Sequence, residues 1–126
     1  MKIYLFDVDH TLEVSEGPVS LESVRELLYL SREDVVLGLC GNWAVALPRI
    51  DDWSVIFSFI GPMTMQKYEF MNQIKTYAPP FDDYIMVGND GDDQARWPNG
   101  ASADRMAAHI AGWRFISEDE FAAGER

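Results

Sequence analysis

Residues 2–12 read KIYLFDVDHTL. The opening five are rich in aromatic and branched apolar side chains, the composition of a buried strand. That strand runs straight into two aspartates one residue apart. At strand periodicity Asp7 and Asp9 lie on the same side, where two carboxylates repel. A cation held between them makes the crowding tolerable, and such a site needs further groups from elsewhere in the chain.

Working outward, the sequence alternates strand-like and helix-like segments. After the turn-forming EVSEGPV, Ser20 is placed to cap a helix over about 20–31, with Leu21, Val24, Leu27 and Leu28 on one face. DVVLGLC (34–40) is a continuous apolar run of the kind found in a parallel sheet covered on both faces. WAVALPRI holds a short helix interrupted at Pro48, and WSVIFSFIG (53–61) reads as a third strand. Thr64 is placed to cap a helix over 65–77, YIMVG (84–88) gives a fourth strand, and a helix near 103–111 turns Ala103, Met106, Ala107, Ile110 and Ala111 inward. WRFI (113–116) and a last helical turn in SEDEFAAG close the pattern. Alternation of this kind implies an α/β fold: a Rossmann-like three-layer sandwich, a single domain over 1–126, with a five-stranded, mainly parallel sheet.

In parallel sheets ligands bind beyond the carboxyl ends of the strands. The residues just past those ends are Asp7 and Asp9, then Cys40, Gly41 and Asn42, then Asn89 and Asp90, with Lys67 opening a helix after the third strand. Mg²⁺ takes hard oxygen ligands and commonly pairs one or two carboxylates with phosphate oxygens. Lys67 adds positive charge, and such a set neutralises the charge on a phosphoryl group in transfer. Asp7 is the candidate nucleophile and Asp9 the candidate general acid and base.

DVDHTL resembles the first motif, Asp-x-Asp-x-Thr-Leu, of the haloacid dehalogenase-like superfamily. The resemblance implies Asp7 as nucleophile, Asp9 as the acid/base of phosphatase members, and a sheet with the first strand central. It also implies Mg²⁺ held by Asp7, the backbone carbonyl of Asp9 and an acidic residue after the fourth strand. LGLCGN resembles the second motif with Cys40 where a hydroxyl residue is usual, so substrate phosphate would rest on the N–H groups of Gly41 and Asn42. Lys67 matches the third motif. VGNDGDD matches the fourth with Asn89 in place of its first aspartate, which makes Asp90 the first choice for the metal and Asn89 its neighbour or substitute. DRMAAHIAGW is similar to the family's closing helix, with residues 91–103 as an insertion. Asp92, Asp93 and Asp104 rank behind Asp90. The segments 13–36 and 61–67 are too short for the family's cap domain, so a capless member is expected, with the insertion 91–103, carrying Trp97 and Pro98, as the only candidate for an internal lid.

Composition narrows the rest. The chain has 126 residues, 48% apolar and 25% charged, and a formal net charge of −11. Such an acidic surface disfavours broad binding to nucleic-acid backbones. Apolar runs fall short of the roughly 20 residues of a membrane helix. The single Cys40 excludes an intramolecular disulfide, and the start lacks a signal-peptide cleavage pattern. A cytoplasmic protein with no membrane partner is expected, acting on a phosphorylated small molecule or an exposed phosphate of a larger one. Substrate and oligomeric state are not legible. Cys40 and Asn89 motivate one alternative, a domain of this fold that binds without turnover. A phosphoacceptor receiver domain is disfavoured because no aspartate follows the third strand, and dehalogenation because Asp9 is present. Trp43, Trp53 and Trp113 read as core, His10 and His109 as local packing or surface residues.

Overall fold

The structure, a computed structural model, describes residues 1–32, 34–63, 67–78, 80–89 and 104–126. Five strands form one parallel sheet: β1 (Lys2–Phe6), β2 (Val35–Leu39), β3 (Phe59–Ile60), β4 (Asp83–Gly88) and β5 (Arg114–Ser117), in the order β3-β2-β1-β4-β5. The first strand is central, as expected. Among the described residues six helices accompany them: α1 (Leu21–Leu30), α2 (Trp43–Ala46), α3 (Trp53–Ile56), α4 (Lys67–Tyr77), α5 (Asp104–Ala111) and α6 (Glu118–Ala122).

Strand periodicity divides the core into two layers. Tyr4 and Phe6 face one side, where Leu21, Val24 and Leu27 of α1, Ile56 of α3 and Phe121 of α6 cover them. The Phe6 and Phe121 rings meet edge to face at 5.3 Å. Ile3 and Leu5 face the other side, against Met71 of α4 and Ala107, Ala108 and Ala111 of α5. Three alanines on one face let α5 lie close to the sheet. With both faces covered, β1 needs no polar alternation, which is why it is apolar from Ile3 to Phe6.

Ser20 caps α1, its side chain accepting from the Ser23 N–H at 3.1 Å. Ser117 and Glu120 form a reciprocal capping box at the start of α6. WAVALPRI splits as expected, into α2 and a 3-10 turn at Leu47–Arg49 that begins beside Pro48.

One segment departs from its sequence reading. Of the expected strand 53–61 only Phe59–Ile60 pairs, while Trp53–Ile56 makes the helical turn α3. Trp53 and Ile56, three residues apart, both pack on the core, and Ser54 and Val55 face outward. That is helical spacing inside a run whose apolarity alone suits either state. The expected cap Thr64 lies outside the described residues, as does the insertion with Trp97 and Pro98. Trp113 is buried, whereas Trp43 and Trp53 are half-buried against the core edge. His109 is exposed on α5, and of the residues expected inward there Met106 and Ile110 are exposed. Among the described residues, the segment between β1 and α1 holds a 3-10 turn, Glu13–Ser15.

Candidate active site

Asp7 follows the last residue of β1 and is fixed there by the backbone: its N–H donates to the Val87 carbonyl at 2.9 Å. The adjacent strand end is held the same way, Cys40 N–H to the Phe6 carbonyl at 2.9 Å. These bonds place the loops after β1, β2 and β4 side by side at one edge of the sheet. Gly41, at φ +82°, lies so close to Asp7 that a Cβ there would stand 2.5 Å from the carboxylate oxygen Oδ1. Only glycine combines that backbone conformation with that approach. Gly88, in strand conformation, is required by space alone, since the Asp104 carboxylate would collide with any side chain at that position.

Lys67, the first residue of α4, projects between two carboxylates. Its Nζ lies 2.8 Å from Asp7 Oδ1 and 2.5 Å from Asp104 Oδ1. Asp104 opens α5, is 1% exposed, and accepts a second bond from the Asn89 backbone N–H at 2.8 Å. Asp104, ranked behind Asp90 from sequence, therefore shares the lysine with Asp7. Its signal was present in the sequence, since it begins the closing helix. Asp90, Asp92 and Asp93 lie outside the described residues.

The electrostatics follow from one ammonium serving two buried carboxylates. Burial works against the charged form of Lys67, but Asp7 and Asp104 outweigh it and hold its pKa above the ordinary lysine value. One positive charge cannot neutralise both acids. Burial, reinforced by the charge of Asp7 and opposed by Lys67, pushes Asp104 up to about 7. Asp104 is thus the member of the cluster that takes up a proton near neutral pH.

Asn89 bridges the two motif aspartates. Its Nδ2 donates to the Asp9 carbonyl at 3.0 Å and lies 3.4 Å from Asp7 Oδ2, while Thr11 Oγ1 donates to its Oδ1 at 3.3 Å. Sequence reading anticipated Asn89 as a neighbour or substitute in the metal site, not as a hydrogen-bond donor between these two oxygens. Asp9 is exposed, and its carboxylate accepts no hydrogen bond from a described residue.

Cys40 is 2% exposed, and burial pushes its thiol above the usual range, with Lys67 opposing and Asp7 and Asp104 adding to the effect. It is a neutral packing group behind the site. The neighbouring N–H groups of Gly41 and Asn42 donate to no described residue. The structure therefore brings together Asp7, Asp9, Lys67, Asn89 and the Cys40–Asn42 turn.

Among the described residues no three His, Cys, Asp or Glu side chains gather to hold a metal ion. The oxygen set at the motif is nevertheless suited to Mg²⁺. Asp7 Oδ2 and the Asp9 carbonyl already converge on one point, the Asn89 amide, and turning that amide presents Oδ1 as a third hard oxygen. The amide N–H group stands between the Asp7 carboxylate and the Asp9 carbonyl, where positive charge is needed. No family model, no curated protein and no solved structure matches the chain.

Proposed function

We propose that the protein is a Mg²⁺-dependent phosphomonoesterase of the capless haloacid dehalogenase-like type. The observation that carries this reading is the Asp7–Lys67–Asp104 cluster, a carboxylate held at a strand tip by a buried ammonium, with the exposed Asp9 carboxylate beside it bonded to no described residue. Asp7 attacks phosphorus, and the bond to the leaving oxygen breaks as Asp9 delivers a proton to it. Asp9 then accepts a proton from water as that water attacks the aspartyl-phosphate, releasing inorganic phosphate and restoring the Asp7 carboxylate. Lys67 offsets charge on the phosphoryl oxygens and fixes the orientation of Asp7. The N–H groups of Gly41 and Asn42 are the donors available to the same oxygens. Asp7, the Asp9 carbonyl and Asn89 would hold Mg²⁺, with Asp90 as a further candidate ligand, and the ion would supply Lewis-acid charge stabilisation.

Asp7→Asn keeps the size of the side chain and removes the nucleophile. It is expected to lower hydrolysis of an aryl phosphate by at least about 10³-fold with an unchanged circular dichroism spectrum. Full activity in that variant would remove Asp7 from this role.

The position of the Asn89 amide favours a second reading, a domain of this fold that binds an anion without turnover. The amide can replace a cation between Asp7 and Asp9 but does not supply the second carboxylate that strengthens Mg²⁺ binding. Calorimetric titration with Mg²⁺ separates the two. Under the enzyme reading the wild type binds the ion and Asn89→Asp binds it about tenfold or more tightly, from the added charge. Absence of Mg²⁺ binding in the wild type, together with silence across a panel of phosphomonoesters, would favour the binding domain.

A further inference from the structure

A cavity lies at the edge of the sheet opposite the candidate active site. It has a volume of about 380 Å³ and is bounded by the starts of β1 and β2, the end of α1 and Arg126. Lys2 and Asp7 are separated by the length of β1, about 16 Å at strand rise, so this cavity is not part of the site described above.

Its chemistry differs from that of the molecule around it. The chain carries a formal charge of −11 with only ten Lys and Arg. Among the described residues, three of those ten, Lys2, Arg32 and Arg126, line this one cavity, together with one acid, Glu26. The floor is apolar, formed by Leu27, Leu30 and Val35. Tyr4 completes it and is the informative residue. Tyr4 is 1% exposed, yet its hydroxyl donates to no described residue and is not one of the sealed polar atoms of the interior. The hydroxyl therefore opens into the cavity, where its O–H is available to donate to a ligand in place of water. Burial raises the Tyr4 pKa, with Lys2, Arg114 and Arg126 opposing, so the group stays an O–H donor at neutral pH.

Arg126 is held in place. Its guanidinium lies 3.9 Å from the centre of the Phe121 ring, its Nη1 donates to the Phe121 and Glu125 carbonyls at 2.8 and 2.6 Å, and its own backbone oxygen accepts from Arg114 Nη2 at 3.1 Å. A cation fixed before the ligand arrives loses less freedom on binding. The volume falls in the range of small-molecule sites.

We infer that this cavity binds a small organic anion, an oxyanion head among Lys2, Arg32 and Arg126 that accepts from Tyr4, with a compact apolar body on Leu27, Leu30 and Val35. Carboxylate and phosphoryl heads share this chemistry, and two probes distinguish them. The full chain, labelled with ¹⁵N, is titrated with benzoate and, separately, with phenylphosphonate, and amide shifts are followed at Lys2, Tyr4, Ser31, Arg32 and Val35. At least one probe is expected to shift these amides saturably, and the tighter of the two identifies the head group. Tyr4→Phe removes one oxygen and leaves the ring that packs on Phe6; it is expected to weaken binding about tenfold, the value of a hydrogen bond to a charged acceptor. Arg32→Gln, on an exposed loop, gives the same direction of change without touching the core. The inference is overturned if neither probe moves those amides at millimolar concentration, or if both variants bind as tightly as the wild type.

Discussion

Asp104 concentrates the energetics of the site in one side chain. It is nearly sealed from water, accepts from Lys67 and from the Asn89 N–H, and still carries a pKa raised to about 7, chiefly by burial. A carboxyl whose folded pKa lies above its unfolded value binds its proton more tightly when folded. Its contribution to stability is therefore complete below about 4 and is lost as pH rises toward about 7. The raised pKa of Lys67 leaves that residue charged throughout this window. In the presence of a chelator, thermal midpoints are expected to fall between pH 5 and about 7.5, and Asp104→Asn, which keeps an acceptor for Lys67, is expected to flatten the fall. A wild-type midpoint that does not decline over that interval, or an unchanged slope in the variant, would contradict the raised pKa. At this scale the sequence was informative about residue types and less so about partners. Asp7, Asp9 and Lys67 could be named from position, because each follows or faces a strand end. The contact between Lys67 and Asp104 depends on where α5 begins across a long polar insertion, and the donor role of the Asn89 amide depends on which end of that amide faces Asp7. Neither is encoded in spacing.

Elements were legible where periodicity and capping agreed. Ser20 before a helical apolar stripe located α1, and the alanine-rich run before Gly112 located α5. The third strand was not legible, because WSVIFSFIG is apolar at both strand and helix spacing, and only packing of Trp53 with Ile56 on one face assigns its first half to α3. The closing element shows how much a local motif contributes. In α6 the Ser117 hydroxyl accepts from Glu120 N–H and the Glu120 carboxylate accepts from Ser117 N–H, both at 3.1 Å. Phe121, fully buried against Phe6, is carried by this short helix. Ser117→Ala is expected to lower stability by about 1 kcal/mol in urea unfolding, with no change in the slope of the transition. A variant as stable as the wild type would show that the Phe121 anchor alone fixes α6.

For the molecule as a whole, an all-parallel sheet with β1 at its centre sends every strand end to one edge, and that topology assembles the site. Asp7 from β1, the Gly41–Asn42 turn after β2, Asn89 after β4 and Lys67 from α4 come from distant parts of the chain, yet the two nearest neighbours of β1 carry the loops that flank Asp7. The central claim is that this edge transfers a phosphoryl group through Asp7. Its most direct measurement is mass spectrometry of the acid-quenched protein after brief mixing with Mg²⁺ and an aryl phosphate, followed by peptide mapping. The account predicts a phosphoryl group on the peptide containing Asp7, lost when Asp7 is replaced by Asn. Phosphate released from substrate with no modified Asp7 peptide at any quench time, or a modified peptide elsewhere in the chain, would contradict it.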